Sequence, residues 1–401
     1  MNTEKKLIPL LRFPEYKESI GWKESLIKNV CSIGTGKSNS QDQVEDGKYP
    51  FFIRSEVPVR SNRYLYDCEA VITIGDGKIG KVFHYINGKF DLHQRCYKMT
   101  DFKDVDGKFF YYYFSSHFYE RAMKMTAKAT VDSVRLGMIS EMPISFPSIS
   151  EQQKIAECLS SIDSYISSIN EKVEQLKAHK TSLLQKLFPQ KGQTVPEYRL
   201  PEFKTNEDWT TNRVGESFKL QGGFAFKSNK FIATGIPVIR ISNIPSDSLV
   251  VNLQNCVFYE ELPNMHNYTA NDGDLLIAMS GATTGKTAIY RGKKPVYVNQ
   301  RVGIFKLVDN SIYYPFICQW IRTDHFANQI KKMLAAGAQP NISSNDIESL
   351  LWQHPQNMKE QMKIASCLST IDDLIDAYKN KLIYIEDYKK GLIQQLFPIN
   401  S

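Results

Sequence analysis

Long apolar runs are missing from this chain of 401 residues: no stretch approaches the roughly 18 residues needed to cross a bilayer. The opening MNTEKKLIPLLRF lacks the charged, apolar and small-residue order of a secretory leader. The seven cysteines are odd in number and scattered, and none forms a CxxC, so neither a disulfide framework nor a zinc site is indicated. These absences describe a reduced, cytosolic protein with no membrane role.

Catalytic parts are equally scarce. His84, His93, His117, His179, His266, His325 and His354 make no HxxxH or HExxH pair and read as surface or packing residues. There is no GxSxG elbow, and no dinucleotide site is indicated. Glu15-Tyr-Lys17 and Glu202-Phe-Lys204 echo nuclease fragments, but no upstream acidic partner accompanies them. The nearest approach to a nucleotide loop is Gly281-Ala-Thr-Thr-Gly285-Lys286-Thr287. It has three residues between its glycines where a phosphate loop needs four. A related stretch, Gly75 to Lys81, is followed by Val82 instead of Ser or Thr. Both stretches are expected to be tight strand-to-strand turns that bring backbone amides and Lys81 or Lys286 towards an anion such as a DNA phosphate.

What is present is a repeat. Residues 151–189 return at 360–398 with 18 of 39 positions identical, no gap and a constant shift of 209. An interval that long is not a solenoid unit, so each copy is a whole domain followed by a helix. In the first helix Ile155, Leu159, Ile162, Ile166, Ile169, Val173 and Leu176 recur in steps of four and three. In the second, Ile364, Leu368, Ile371, Ile375, Tyr378, Leu382 and Ile385 do the same. So narrow a stripe predicts a coiled-coil seam, broken at the same heptad place by Lys180 and Lys389. Ser148 and Asn357, three residues before Glu151 and Glu360, have capping-box spacing, and Leu-Phe-Pro closes both helices. About 37 residues at 1.5 Å each make a rod of roughly 55 Å. Both helices adjoin the second globular region, which favours antiparallel pairing and an internal two-fold axis. Cys158 and Cys367, at equivalent places beside the stripe, are expected to be small packing residues.

The globular parts repeat more weakly. Arg12, Pro14, Glu15, Lys17 and Trp22 recur as Arg199, Pro201, Glu202, Lys204 and Trp209; Gly80-Lys81 matches Gly285-Lys286, and Gln94-Arg95 matches Gln300-Arg301. The second copy carries about twenty extra residues, mostly between Pro245 and Asp274. Runs such as YPFFI, AVITI, PVIRI and DLLIAM predict strands, and 109–124 and 313–334 predict helices. The expected class is α+β: two mixed α/β domains separated by two long helices. The domain at 1–147 is followed by a helix at 148–189, the domain at 190–356 by a helix at 357–401, and a polar, proline-bearing linker covers 190–208. Net charge is +7, from 50 Lys+Arg against 43 Asp+Glu, which favours a polyanionic partner.

Two domains of one scaffold, each followed by a helix that opens EQ-x-KIA-x-CLS-x-ID and closes QxLFP, resemble the specificity subunit of type I restriction-modification systems. The resemblance covers essentially the whole chain. It implies a noncatalytic DNA-reading subunit that recognises a bipartite, asymmetric site, one half per target recognition domain, with the helices as a ruler. A rod of roughly 55 Å bounds the half-site separation at about 16 base pairs, and same-face reading favours about one turn. Shortening a helix by one heptad should then draw the half-sites together. The implied partners are double-stranded DNA, two methyltransferase subunits and two restriction subunits. S-adenosylmethionine, ATP and Mg belong to those partners, and none of these cofactors to this chain. The chain lacks an NPPF-type methylation motif. The residues expected to touch DNA are Lys81, Arg95, Lys286 and Arg301, then Arg54, Lys78, Arg240, Asn299 and Gln300. Arginine grips guanine at two points, Asn and Gln do so with adenine, and lysine holds phosphates. Lys154, Lys172, Lys363 and Lys381 are expected to offer docking surfaces for methyltransferase subunits. The competing readings are a duplicated coiled-coil scaffold for protein partners and a phosphoryl-transfer enzyme built on 281–287.

Overall fold

The computed structural model describes residues 7–125, 133–245, 248–336 and 341–398. The first six residues, part of the leader reading, lie outside them. The chain divides into two compact units, Met1–Glu171 with Lys379–Ser401, and Lys172–Tyr378. The division passes through both long helices, Ile149–Leu187 and Met358–Leu396, because their ends are sunk in the cores of different units.

In the first unit the alternating runs build a six-stranded sheet in the order Ser32–Thr35, Cys96–Thr100, Tyr66–Ile74, Phe83–Leu92, Tyr49–Phe52, Val59–Ser61. All neighbours are antiparallel except Tyr49–Phe52, which runs parallel to Phe83–Leu92 with Phe51 opposite Asp91. The helix Gly107–Lys124 starts where the Asp106 carboxylate accepts from the Phe109 amide at 2.9 Å. Its Phe109, Phe110, Tyr113, Phe114 and Phe118 are all fully buried. A helix this apolar belongs inside. It shares one core with Val71 and Met99 of the sheet, with Ile155, Leu159 and Leu396 of the long helices, and with Phe397 just beyond the second. Each such side chain contributes about 1.5–3 kcal/mol by leaving water.

The second unit repeats the plan with two alterations. The long hairpin of the first unit is interrupted here at residues 290–295, where the Tyr290 hydroxyl donates to the Lys294 carbonyl at 2.6 Å. Two four-stranded sheets result. One runs Phe218–Gly222, Val302–Leu307, Leu275–Ala278, Thr287–Ile289; the other runs Val257–Tyr259, Ile236–Ile239, Val296–Val298, Thr269–Ala270. The parallel pairing survives, with Val238 opposite Tyr297. The helix expected at 313–334 is two, Tyr314–Trp320 and Asp324–Ala336. Thr323 separates them: its hydroxyl donates to the Trp320 carbonyl at 2.7 Å.

In the first unit Ile155 and Leu159, from the start of one long helix, share a core with Leu392, Ile393 and Leu396 from the end of the other. In the second unit Leu183, Leu184 and Leu187 share a core with Ile364 and Leu368. Start meets end in both, so the helices run antiparallel. Of the predicted seam, Ile155, Leu159, Ile169, Val173, Ile364, Leu368, Ile371, Ile375 and Ile385 are buried. Ile162, Ile166, Leu176, Tyr378 and Leu382 are half-buried.

The lysines that break the stripe each meet an aspartate. Lys180 Nζ lies 2.6 Å from Asp372 Oδ1, and Lys389 pairs with Asp163. The 209-residue shift exchanges these pairs, so the aspartate of each ID motif answers the lysine of the other helix. A buried polar contact of this kind fixes register, since any slip strands a charge among apolar side chains. The rest of the motif acts the same way. Arg12 donates to both oxygens of Glu151 at 2.7 Å, and Arg199 to both oxygens of Glu360 at 2.9 Å. These carboxylates bind arginine and do not close the expected capping boxes. Gln152 bridges the Asp106 amide to the carbonyls of Asp104 and Pro147; Gln361 bridges the Tyr313 amide to Ser311 and Pro355. Lys154 and Lys363 pair with Glu15 and Glu202. The expected linker at 190–208 is thus a docked part of the second unit, with Arg199 buried. Cys367 is exposed, so packing does not account for it, whereas Cys158 is half-buried. Among the described residues no helix is long and apolar enough to cross a membrane.

Candidate nucleic-acid interface

The strand Tyr66–Ile74 runs into the loop 75–81 and returns as Phe83–Leu92, with Thr73 opposite Phe83. The Gly75 amide donates to the Arg95 carbonyl at 2.7 Å, and the Gly75 carbonyl accepts from Val134 at 2.7 Å. A Cβ at Gly75 would lie 2.6 Å from that Arg95 oxygen, so only glycine permits this approach. Gly80, at φ +67°, lets the loop pass 2.8 Å (as a virtual Cβ) from the Tyr119 backbone, and Lys81 then lies over the Tyr119 ring at 5.5 Å. The turn 93–95 is held from inside, because Nδ1 of the buried His93 accepts from the Arg95 amide at 3.0 Å. Burial, followed by the fields of Arg54 and Arg95, depresses the His93 pKa and keeps that acceptor available.

Four of the predicted contacts meet at this end of the first unit. Arg54 and Arg95 both donate to Asp76, at 3.1 Å to Oδ1 and 2.9 Å to Oδ2. Burial opposes ionisation of Asp76, but hydrogen bonds from Arg95 and Arg54 outweigh it and hold the carboxyl below its usual range. Lys78 pairs with Glu56 at 2.7 Å, both exposed, while Lys81 is exposed above Tyr119.

The second unit builds the same ladder. The Met279 amide donates to the Arg301 carbonyl at 2.9 Å, and the Met279 carbonyl accepts from Ile342 at 2.9 Å. The loop 280–286 joins antiparallel strands, with Ile277 opposite Thr287. A nucleotide loop leads into a helix; this one leads into a strand. The amides of Thr284, Gly285 and Lys286 donate to the carbonyls of Gly281, Ala278 and Thr283. Those amides are therefore not offered to an anion, as the sequence suggested, and the exposed Lys286 side chain is what the loop presents. The Asn299 side chain accepts from the Arg301 amide at 3.3 Å, and Gln300 and Arg301 are exposed. Arg240 lies over the Phe231 ring at 6.0 Å, and its buried Nε has no hydrogen-bond partner among the described residues.

Three features went unremarked in the sequence. Asp76 is one. The others are Gly36 and Gly223, which stand at the same 187-residue shift as other matched residues. A Cβ would lie 2.1 Å from the Leu92 carbonyl at the first and 2.3 Å from the Asn299 carbonyl at the second. The extended segments beyond them accept the amides of Gln94, at Ser38, and of Gln300, at Phe224. The shared Gln-Arg pair is thereby anchored through its backbone, leaving its side chains free to differ in role. Among the described residues no cluster of His, Cys, Asp and Glu suits a metal ion.

The family described as "Type I restriction modification DNA specificity domain" matches residues 19–178 and 206–387. The chain is 25% identical over 404 residues to the type I restriction enzyme MjaVIII specificity subunit of Methanocaldococcus jannaschii, covering 96% of this chain and 93% of the relative. It is 27% identical over 409 residues to the EcoDI specificity subunit of Escherichia coli, covering 95% and 89%. The crystal structure of a type I restriction-modification S subunit from M. genitalium superposes with a TM-score of 0.71 at 19% identity, covering 98% of this chain and all of that one. With two matched domains, a duplicated scaffold and paired long helices, this chain belongs to the type I restriction-modification specificity subunit family.

Proposed function

We propose that this chain is the noncatalytic DNA-reading subunit of a cytoplasmic type I restriction-modification complex and recognises a bipartite, asymmetric site in double-stranded DNA, one half per target recognition domain. The observation that carries the reading is the contrast within each unit. Buried contacts at the helix ends recur pair for pair, as Arg12–Glu151 and Arg199–Glu360, while the matched loop arginines are held differently, Arg95 by Asp76 and Arg301 by no carboxylate among the described residues. Same frame with different tips suits one task performed on two sequences.

Two methyltransferase subunits and two restriction subunits would assemble on this chain and bring S-adenosylmethionine, ATP and Mg with them. Lys172 and Lys381 on the long helices are exposed candidates for such docking, with Lys381 also over the Tyr165 ring at 5.1 Å. Lys154 and Lys363 are further candidates, each paired with a glutamate, Glu15 and Glu202.

Genome-wide methyladenine mapping in a host carrying the methyltransferase partner, with this gene intact or deleted, tests the reading. Loss of one bipartite motif on deletion is the expected result. Unchanged methylation would point instead to a coiled-coil scaffold for protein partners.

A further inference from the structure

Arg54 and Arg95 stand on separate segments, one after the strand Tyr49–Phe52 and one in the turn 93–95, yet they converge on one carboxylate. Asp76 takes Arg54 on one oxygen and Arg95 mainly on the other, with its own side chain 20% exposed and the two arginines 44% and 60% exposed. Two long side chains that would otherwise wander are thus pinned at one end while their outer faces stay open to solvent. The neighbouring Gly77, at φ +86°, has nothing among the described residues within 4 Å of where a Cβ would be.

The charge balance decides what such a pair is for. A phosphate clamp gains by concentrating positive charge, and a carboxylate set between two guanidinium groups works against it. Reading a guanine edge needs a planar guanidinium held in one orientation so that two N–H groups reach O6 and N7 together, and it tolerates a lower net charge. The first unit separates the two tasks, since Lys81 is exposed on the same loop without a carboxylate partner among the described residues. In the second unit the ladder that matches Gly75 with Met279 puts Ser280 in the place of Asp76, and Arg301 has no carboxylate partner among the described residues. The buttress is a property of one reader only.

We propose that Asp76 is a positioning residue that presents Arg54 and Arg95 as a fixed pair to base edges, so that the half-site read by the first unit contains a guanine held at O6 and N7. The proposal rests on the DNA-reading function above and goes beyond it by naming a base and the residue that orients its readers.

The test uses the full-length chain co-expressed with its methyltransferase partner. Methylation mapping with Asp76→Asn should show the wild-type motif relaxed at a guanine in one half while the other half is unchanged. Arg301→Ala, run in parallel, should relax the opposite half and so assign the halves to the units. In binding assays, replacing that guanine by 7-deazaguanine should weaken the wild-type complex about tenfold and leave the Asp76→Asn complex nearly unaffected. A fold defect would weaken both duplexes alike and would not erase the difference between them. Should Asp76→Asn fail to accumulate, Arg95→Lys keeps the charge beside Asp76 but cannot grip a base at two points, and the same relaxation is expected. A motif unchanged in both variants, or wild-type binding insensitive to deazaguanine at every guanine of the half-site, would overturn the proposal. If the wild-type chain directs no bipartite motif and binds all duplexes alike, the DNA-reading function itself falls, an outcome distinct from either.

Discussion

Arg12 reaches Glu151 with two hydrogen bonds and spans the carbonyls of Ser19 and Ile20; Arg199 reaches Glu360 the same way and spans Asn206 and Glu207. At the loops the backbone ladder and the residues Lys81 and Lys286, Arg95 and Arg301 still match, but the arginines are held differently. In the first unit Asp76 binds two arginines; in the second Arg301 has no such partner among the described residues, and Arg240 lies on Phe231. The shared buried pairs hold the chain to itself, whereas the shared Arg95 and Arg301 stay exposed and are held differently, so the copies differ in how their readers are supported.

The largest effect should come from the shared frame. Glu151→Gln and Glu360→Gln each leave a guanidinium buried without its counter-charge, a loss of about 3–5 kcal/mol in unfolding free energy. Denaturant titration of the two variants should give losses of similar size. The methylated motif directed by the folded fraction should stay as in the wild type. A changed motif in either variant would mean that the frame also reads.

How much of this was legible beforehand follows the same line. The stripe from Ile155 to Leu176 and its copy from Ile364 to Ile385 were readable because a seam imposes a period, and the repeat doubled the signal. Glu151 was visible but misjudged: capping-box spacing is local, whereas its partner Arg12 lies 139 residues away and only the tertiary fold selects it. The break at Thr323 was hidden inside an apolar pattern that runs across it. Asp76 carried no signal at all, since an acid in a glycine-rich loop reads as a turn former until Arg54 and Arg95 are seen to meet on it. Gly36 and Gly223 could have been found, because two glycines at the shift already set by Pro14 and Pro201 call for a shared backbone reason.

A second comparison lies at the seam lysines, where symmetry of sequence coexists with asymmetry of surroundings. Asp372 holds Lys180, Arg322 and Gln319, while Asp163 holds Lys389 and the Tyr112 hydroxyl. The Asp372 and Lys180 side chains are 17% and 8% exposed, against 38% and 20% for Asp163 and Lys389. Asp372→Asn strands two cations and should cost about 3 kcal/mol, whereas Asp163→Asn should cost about 1 kcal/mol. Lys180 also predicts a pH effect. Burial, then the nearby Arg322, push its pKa down to about 8 despite Asp372. The unfolded chain keeps that proton up to roughly 10.4, so between those values it binds more protons than the folded chain and stability rises with pH. Stability measured across that window should rise more steeply in the wild type than in Lys180→Met. Equal slopes would show that Lys180 titrates normally.

The smallest effect concerns Lys81 and Lys286, matched in sequence and both exposed. Neither has a carboxylate partner among the described residues, so each is suited to a phosphate, which carries no base information. Lys81→Ala and Lys286→Ala should each lower the slope of log binding constant against log salt by about 1, and the double variant by about 2. The loss at any one salt concentration should be the same for specific and unrelated duplexes, since released counterions do not depend on sequence. Arg95→Ala and Arg301→Ala should instead weaken the specific duplex more than the unrelated one. If a lysine variant relaxes the motif, or an arginine variant changes only the slope, the assignment of lysines to the backbone and arginines to the bases is reversed in that unit. The unit in which it reverses also shows whether Asp76 is what separates the two tasks, because only the first unit has it.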